Sequence, residues 1–227
     1  METISPESTG FAAPPIGVPT LFDDRLDAGR RLVAELRTET ASDAVVVALS
    51  PGGVAVGAEI AHALRLPLDL LVVRKIRYPG APERVLGAVA PGYVTYVYTS
   101  ADLSLRRLAV AIADARVELA HADDRVHGDR PPVDVSRREV VIVDDGVTTG
   151  ARMITATHWA RIQRARRVIA AVPVASAEAA ELVRAEVDVF VCPHELTGLG
   201  AVGIWYEEFE QPTDDDVRRS LDEHRQR

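Results

Sequence analysis

Apolar and polar positions along the chain alternate between two periods, and their order predicts the architecture. Residues 23–36 set Leu26, Leu32, Val33 and Leu36 on one side of a helix, residues 44–49 form a near-continuous apolar run of strand length, and residues 54–64 return to a helical pattern. Residues 68–73 are a second apolar run, so the order strand, turn, helix, strand predicts parallel strands joined by a right-handed crossover. A Pro/Gly-rich stretch at 78–83 precedes two runs, 85–90 and 93–98, which read as a β-hairpin around Pro91 and Gly92. A long helix over 103–122 and a polar linker over 123–138 lead to a short strand at 140–143. Beyond it the pattern predicts a helix at 152–164, a strand at 168–174, a helix at 176–184 with Ser176 as N-cap, and a strand at 187–192. Asp214, Asp215 and Asp216 then open a final helix reaching about His224, where their charge favours the positive end of the helix.

The fold class that results is α/β: an open, mainly parallel sheet flanked by helices, with ligands expected beyond the carboxyl ends of the strands. Residues 1–20 are rich in Pro, Ser and Thr and read as a mobile N-terminal segment before one domain over 21–227. No internal repeat is present.

The richest stretch is VVIVDDGVTTGA, residues 140–151. Four β-branched residues form a short buried strand, Asp144 and Asp145 stand at its end, and Gly146, Val147, Thr148, Thr149 and Gly150 run into a helix. Such a loop brings backbone N–H groups to one phosphate, the threonine hydroxyls add donors, and the following helix offers its positive end. The two aspartates repel that phosphate, so their partners are neutral hydroxyls or a cation held further away, such as ribose oxygens with Mg²⁺. The site therefore expects a phosphate at one end and a diol at the other. A P-loop is disfavoured because the Gly-Lys-Ser/Thr ending is missing.

Two more strand ends carry candidate chemistry. Ser50, Pro51, Gly52 and Gly53 follow the run at 44–49, and Arg74 and Lys75 follow the run at 68–73. Parallel order brings these ends beside Asp144. Lys75 is the single lysine among 26 basic residues, the rest being arginine, and a compact ammonium approaches a pyrophosphate oxygen as a point charge.

Composition narrows the partners. The net charge of −8 disfavours a nucleic-acid-binding surface. No apolar run reaches the length of a membrane span and no leader pattern is read at the N-terminus, so a cytoplasmic protein without membrane contact is expected. The single cysteine, Cys192, excludes an internal disulfide and reads as a buried, inert thiol; His62 and His158 lie in helical patterns and read as structural.

The 140–151 segment resembles the 5-phosphoribosyl 1-diphosphate (PRPP) signature of the type I phosphoribosyltransferases, and the resemblance extends over about residues 22–220. It implies that Asp144 and Asp145 meet the ribose hydroxyls and that Gly146 to Gly150 cradle the 5-phosphate. It implies a pyrophosphate loop at Ser50, Pro51, Gly52 and Gly53, where Pro51 stands in place of the basic residue of other members. Arg74 and Lys75 resemble the pair that opens the mobile catalytic loop of orotate and adenine phosphoribosyltransferases. Lys75, Asp144 and Asp145 are then the catalytic residues, Mg²⁺ enters with PRPP and reaches the aspartates through water, and the acceptor is a nitrogenous base. Thr148 replaces the carboxylate of 6-oxopurine enzymes, which disfavours hypoxanthine and guanine. A small hood over the acceptor is implied, where the rings of Trp205 and Tyr206 could stack on a planar base; packing of this aromatic stretch against the sheet is the alternative reading, and a homodimer is implied. The alternative reading is a PRPP-binding sensor or regulatory protein with little catalysis.

Overall fold

The computed structural model describes residues 20–98, 103–128 and 132–225. The segment expected to be mobile, apart from Thr20, lies outside the described residues. The chain order is α1 (Arg25–Leu36), β1 (Val45–Ser50), α2 (Gly53–Leu64), β2 (Leu68–Val72), β3 (Arg74–Tyr78), β4 (Ala81–Val89), β5 (Thr95–Val97), α3 (Leu105–His127), β6 (Glu139–Val143), α4 (Ala151–Ile162), β7 (Arg167–Ala171), β8 (Val174–Ser176), α5 (Ala177–Arg184), β9 (Val189–Val191), β10 (His194–Leu196), a 3₁₀ turn (Val202–Trp205) and α6 (Asp214–Arg225).

The central sheet has the order β2-β1-β6-β7-β9, and all its pairings are parallel. Both faces are covered, which explains why β1, β2 and β6 are buried along their whole length and read as continuous apolar runs. Val46 and Ala48 point into a core shared with α1, α2, α3 and α6, while Val45, Val47 and Leu49 point into one shared with α4 and α5. Asp24 caps α1 by accepting from Asp27 N at 2.7 Å, and Ser176 caps α5 by accepting from Ala179 N at 3.1 Å, as its sequence position predicts.

Several expectations are corrected. Leu26 is 40% exposed; the buried side of α1 runs through Arg25, Ala28, Gly29, Leu32, Val33 and Leu36. The polar linker begins later, because Ala115, Leu119, Ala122 and Val126 carry the helical spacing of α3 through the charged run to Gly128. The run at 168–174 is two strands, since Pro173 lacks a backbone N–H and stands between β7 and β8. β8 then pairs in parallel with β10, a strand the sequence reading did not find.

Arg74 and Lys75 begin a strand rather than a loop. β3, β4 and β5 form a separate antiparallel sheet of three strands, of which the expected hairpin is the β4–β5 part. The turn at 91–93 is built with Gly92 at φ 71° and Tyr93 at φ 62°.

Candidate functional site

The ends of β2, β1 and β6 lie side by side, and beyond them opens a cavity of about 380 Å³. Lys75, Asp144, Asp145, Gly146, Val147, Thr148, Thr149, Gly150, Arg152, Met153, Val202 and Phe209 are among its lining residues. A larger recess of about 790 Å³ lies at the opposite, amino-terminal end of the strands, around Leu66 and Pro67. It has none of these residues.

The phosphate-loop segment is fixed from behind. Val147 bridges to Ala175, with Val147 N donating to Val174 O at 2.9 Å and Ser176 N donating to Val147 O at 2.8 Å. Ser176 Oγ donates to Thr148 O at 2.9 Å, and the Tyr98 hydroxyl donates to Thr149 O. Protein donors thus take up the two threonine carbonyls, so an anion in the cavity does not meet them bare. Gly150 enters α4 at φ 80°, a left-handed conformation that favours glycine. The loop therefore stands at the positive end of a 12-residue helix.

Both aspartates are buried, and each is held by an arginine that sequence reasoning missed. Arg25 Nε and Nη2 both lie 2.9 Å from Asp145 Oδ2, while Arg25 Nη1 donates to Glu210 O at 2.7 Å. The same guanidinium lies 3.7 Å over the Phe209 ring. Arg152 Nη1 lies 3.3 Å from Asp144 Oδ2, and its Nη2 donates to Ser50 O at 3.0 Å. Asp144 Oδ1 accepts from Asp145 N at 3.0 Å. Burial drives the Asp144 carboxyl up to about 7, with the Asp145 charge adding to the rise and Arg152 and Lys75 opposing it. Burial, then the neighbouring charge of Arg152, holds the Lys75 ammonium below its ordinary value.

The remaining sequence candidates fall around this centre. Ser50 is joined to Pro51 by a cis peptide bond, and the turn that follows packs tightly on the acidic pair. A Cβ on Gly52 would stand 2.2 Å from Asp145 Oδ2, and one on Gly53 would stand 2.5 Å from Val143 O. The two glycines thus serve the close approach of the turn to β6. Arg74 and Lys75 are successive strand residues, so their side chains leave opposite faces, and it is Lys75 that lines the cavity. Trp205 and Tyr206 do not line it. Tyr206 is buried against Phe22 and Phe209 and donates its hydroxyl to Asp145 O at 2.6 Å, while Trp205 Nε1 donates to Leu199 O at 3.0 Å. Burial also pushes the Cys192 thiol up to about 12, which agrees with an inert cysteine.

The acidic pair is a poor direct ligand set for Mg²⁺. One oxygen of each carboxylate already faces a guanidinium, and among the described residues no group of three or more His, Cys, Asp or Glu is placed to hold a metal ion.

The family model of the phosphoribosyl transferase domain matches residues 20–201, the span that contains both strand-end turns and the phosphate-loop segment. The chain belongs to the phosphoribosyl transferase domain family. Two proteins of Mycobacterium tuberculosis, from strains CDC 1551 and H37Rv, carry the provisional name of phosphoribosyl transferase. Each is 36% identical to this chain over 206 residues, covering 89% of this chain and 46% of its own length. The chain thus spans about half the length of the curated relatives it matches. Among solved structures, the TT1426 protein of Thermus thermophilus superposes with a TM-score of 0.76 at 38% identity, covering 89% of this chain and 98% of its own. The parallel sheet flanked by helices is the fold of this phosphoribosyltransferase family.

Proposed function

We propose that the cavity binds PRPP and that the chain transfers its 5-phosphoribosyl group to a nitrogenous base with release of pyrophosphate. The observation that carries this reading is the convergence, in one cavity, of a buried acidic pair, a loop at a helix N-terminus and a lysine from a different sheet. Loop residues Gly146 to Gly150 suit the 5-phosphate, and Asp144 and Asp145 suit the ribose hydroxyls as hydrogen-bond acceptors. Lys75 suits the pyrophosphate as it departs.

During transfer the bond from C1 to the pyrophosphate oxygen breaks, the leaving pyrophosphate keeps that electron pair, and the base nitrogen forms the new bond to C1 while losing its proton. Positive charge that develops on the ribose is favoured by the nearby carboxylates, and negative charge on the leaving group by Lys75. The family resemblance brings Mg²⁺ with the substrate; the chain's contribution is to orient the ribose and shield it from water. Thr148 offers a hydroxyl where a 6-oxopurine enzyme has a carboxylate, which disfavours hypoxanthine and guanine as acceptors. Among the described residues no helix is long and apolar enough to cross a membrane.

A second reading, PRPP binding without turnover, draws on the two arginines that engage the acidic pair and on Pro51. Pyrophosphate release measured across a panel of purine, pyrimidine and simpler nitrogenous acceptors separates the two. Steady release with at least one acceptor is the expected result; PRPP binding with no release across the panel would leave the sensor reading.

A further inference from the structure

Arg152 stands in the first turn of α4, directly after the phosphate-loop segment, yet its guanidinium reaches back across the cavity to the end of β1. There it lies between the carbonyl of Ser50, the last residue of β1, and Oδ2 of Asp144, which directly follows the adjacent strand β6. A divalent cation linking a substrate to the acidic pair would sit against that same carboxylate. Arg152 Nε is buried and has no hydrogen-bond partner among the described residues. About a fifth of the Arg152 side chain stays exposed, at 20%, and because the residue lines the cavity this is the part that a ligand can reach.

Lys75 supplies the second observation. It lines the same cavity as Arg152, whose charge weakens its hold on a proton next after burial, while Asp144 and Asp145 strengthen it. Among the described residues no hydrogen bond or ion pair engages the Lys75 ammonium. Two cations thus share the cavity with the acidic pair, and together they can meet a highly charged anion there.

We infer that Arg152 is a binding residue for the pyrophosphate group of the ligand, its guanidinium serving as the fixed cation between that group and Asp144 where a divalent ion would otherwise bridge them. The inference rests on the PRPP reading of this cavity and deepens it: the chain binds pyrophosphate with little dependence on a divalent ion at its own carboxylates. Arg152 suits both contacts at once, because a planar fork presents several donors where an ammonium presents a point charge.

The test is calorimetric titration of inorganic pyrophosphate into the full chain, in EDTA and again with Mg²⁺, for wild type, Arg152→Gln and Arg152→Lys. Wild type is expected to bind in EDTA, with Mg²⁺ changing its affinity by no more than about threefold, roughly 0.7 kcal/mol. Arg152→Gln is expected to bind at least about tenfold more weakly in EDTA and to recover part of the loss with Mg²⁺, while Arg152→Lys falls between them. A residue that only pins β1 to β6 would lower the melting temperature of the variant and leave the affinity of the folded protein unchanged. Equal affinity of wild type and Arg152→Gln in EDTA would overturn the inference, as would wild-type binding that strictly requires Mg²⁺. The wild-type comparison stands even if Arg152→Gln does not fold. The inference alone fails if PRPP binds and depends on Asp144 and Asp145 while pyrophosphate affinity is indifferent to Arg152; absence of PRPP binding by wild type removes the underlying reading as well.

Discussion

Asp144 is 2% exposed at the end of β6, and loss of water pushes its carboxyl up to about 7 from a reference value of 3.8. The native state therefore holds this proton more tightly than the unfolded chain does. That preference contributes stability which is complete below about 3.8 and is lost as pH rises through about 7. Wild-type urea midpoints are accordingly expected to fall between about pH 5 and about pH 8, and Asp144→Asn is expected to flatten the fall; parallel profiles for the two proteins would contradict it. At this scale the sequence revealed the residues whose chemistry is locally marked. Adjacent carboxylates after a β-branched run stand out, and so does a lone lysine among arginines. Arg25 and Arg152 do not stand out in a chain this rich in arginine, and Arg25 meets a partner 120 positions away. The one local signal for Arg152 is its place in the first turn after the loop.

The elements show where periodicity succeeds and where it is overridden. Buried parallel strands such as β1 and β6 announce themselves as continuous apolar runs, and caps such as Ser176 carry a side-chain signature. Boundaries were lost where polarity and structure part company. The charged end of α3 reads as linker because one exposed side of a helix is polar even while the other keeps its spacing. β3 reads as a loop entry because its residues Arg74, Lys75 and Arg77 are charged, though it pairs with β4 along its length. The aromatic stretch around Trp205 and Tyr206 admits a hood over the acceptor or a packing role, and Tyr206 takes the second: it is buried and clamps the backbone of Asp145. The β4–β5 hairpin has a comparable duty, since Tyr98, just after β5, holds Thr149 O. Tyr98→Phe is expected to cost about 0.5–1.5 kcal/mol of stability and to weaken PRPP binding by loosening the loop. Chemical denaturation and ligand titration of the variant check both, and unchanged affinity would show that the hairpin does not brace the site.

At the scale of the whole molecule, the site is assembled from parts distant in sequence. The turn after β1, the start of β3, the end of β6 and the segment after the 3₁₀ turn all meet at the carboxyl edge of the sheet. Arg25 of α1 ties Asp145 to Glu210 near the C-terminal helix, and Phe22 bridges to Tyr206 beside it. The parallel sense of the strands and the identity of the site edge follow from local pattern and the rule for parallel sheets, and so were legible in advance, whereas the order β2-β1-β6-β7-β9 was not. The closing ion pairs depend on how α1, α4 and the C-terminal segment pack together, which local pattern does not encode. Whether this edge binds PRPP is decided by calorimetric titration of PRPP with Mg²⁺ into wild type and into the double variant Asp144→Asn/Asp145→Asn. Wild type is expected to bind, and the double variant to bind at least about tenfold more weakly, near 1.4 kcal/mol. Absence of binding to wild type, or equal binding by both proteins, would contradict the PRPP reading of this edge.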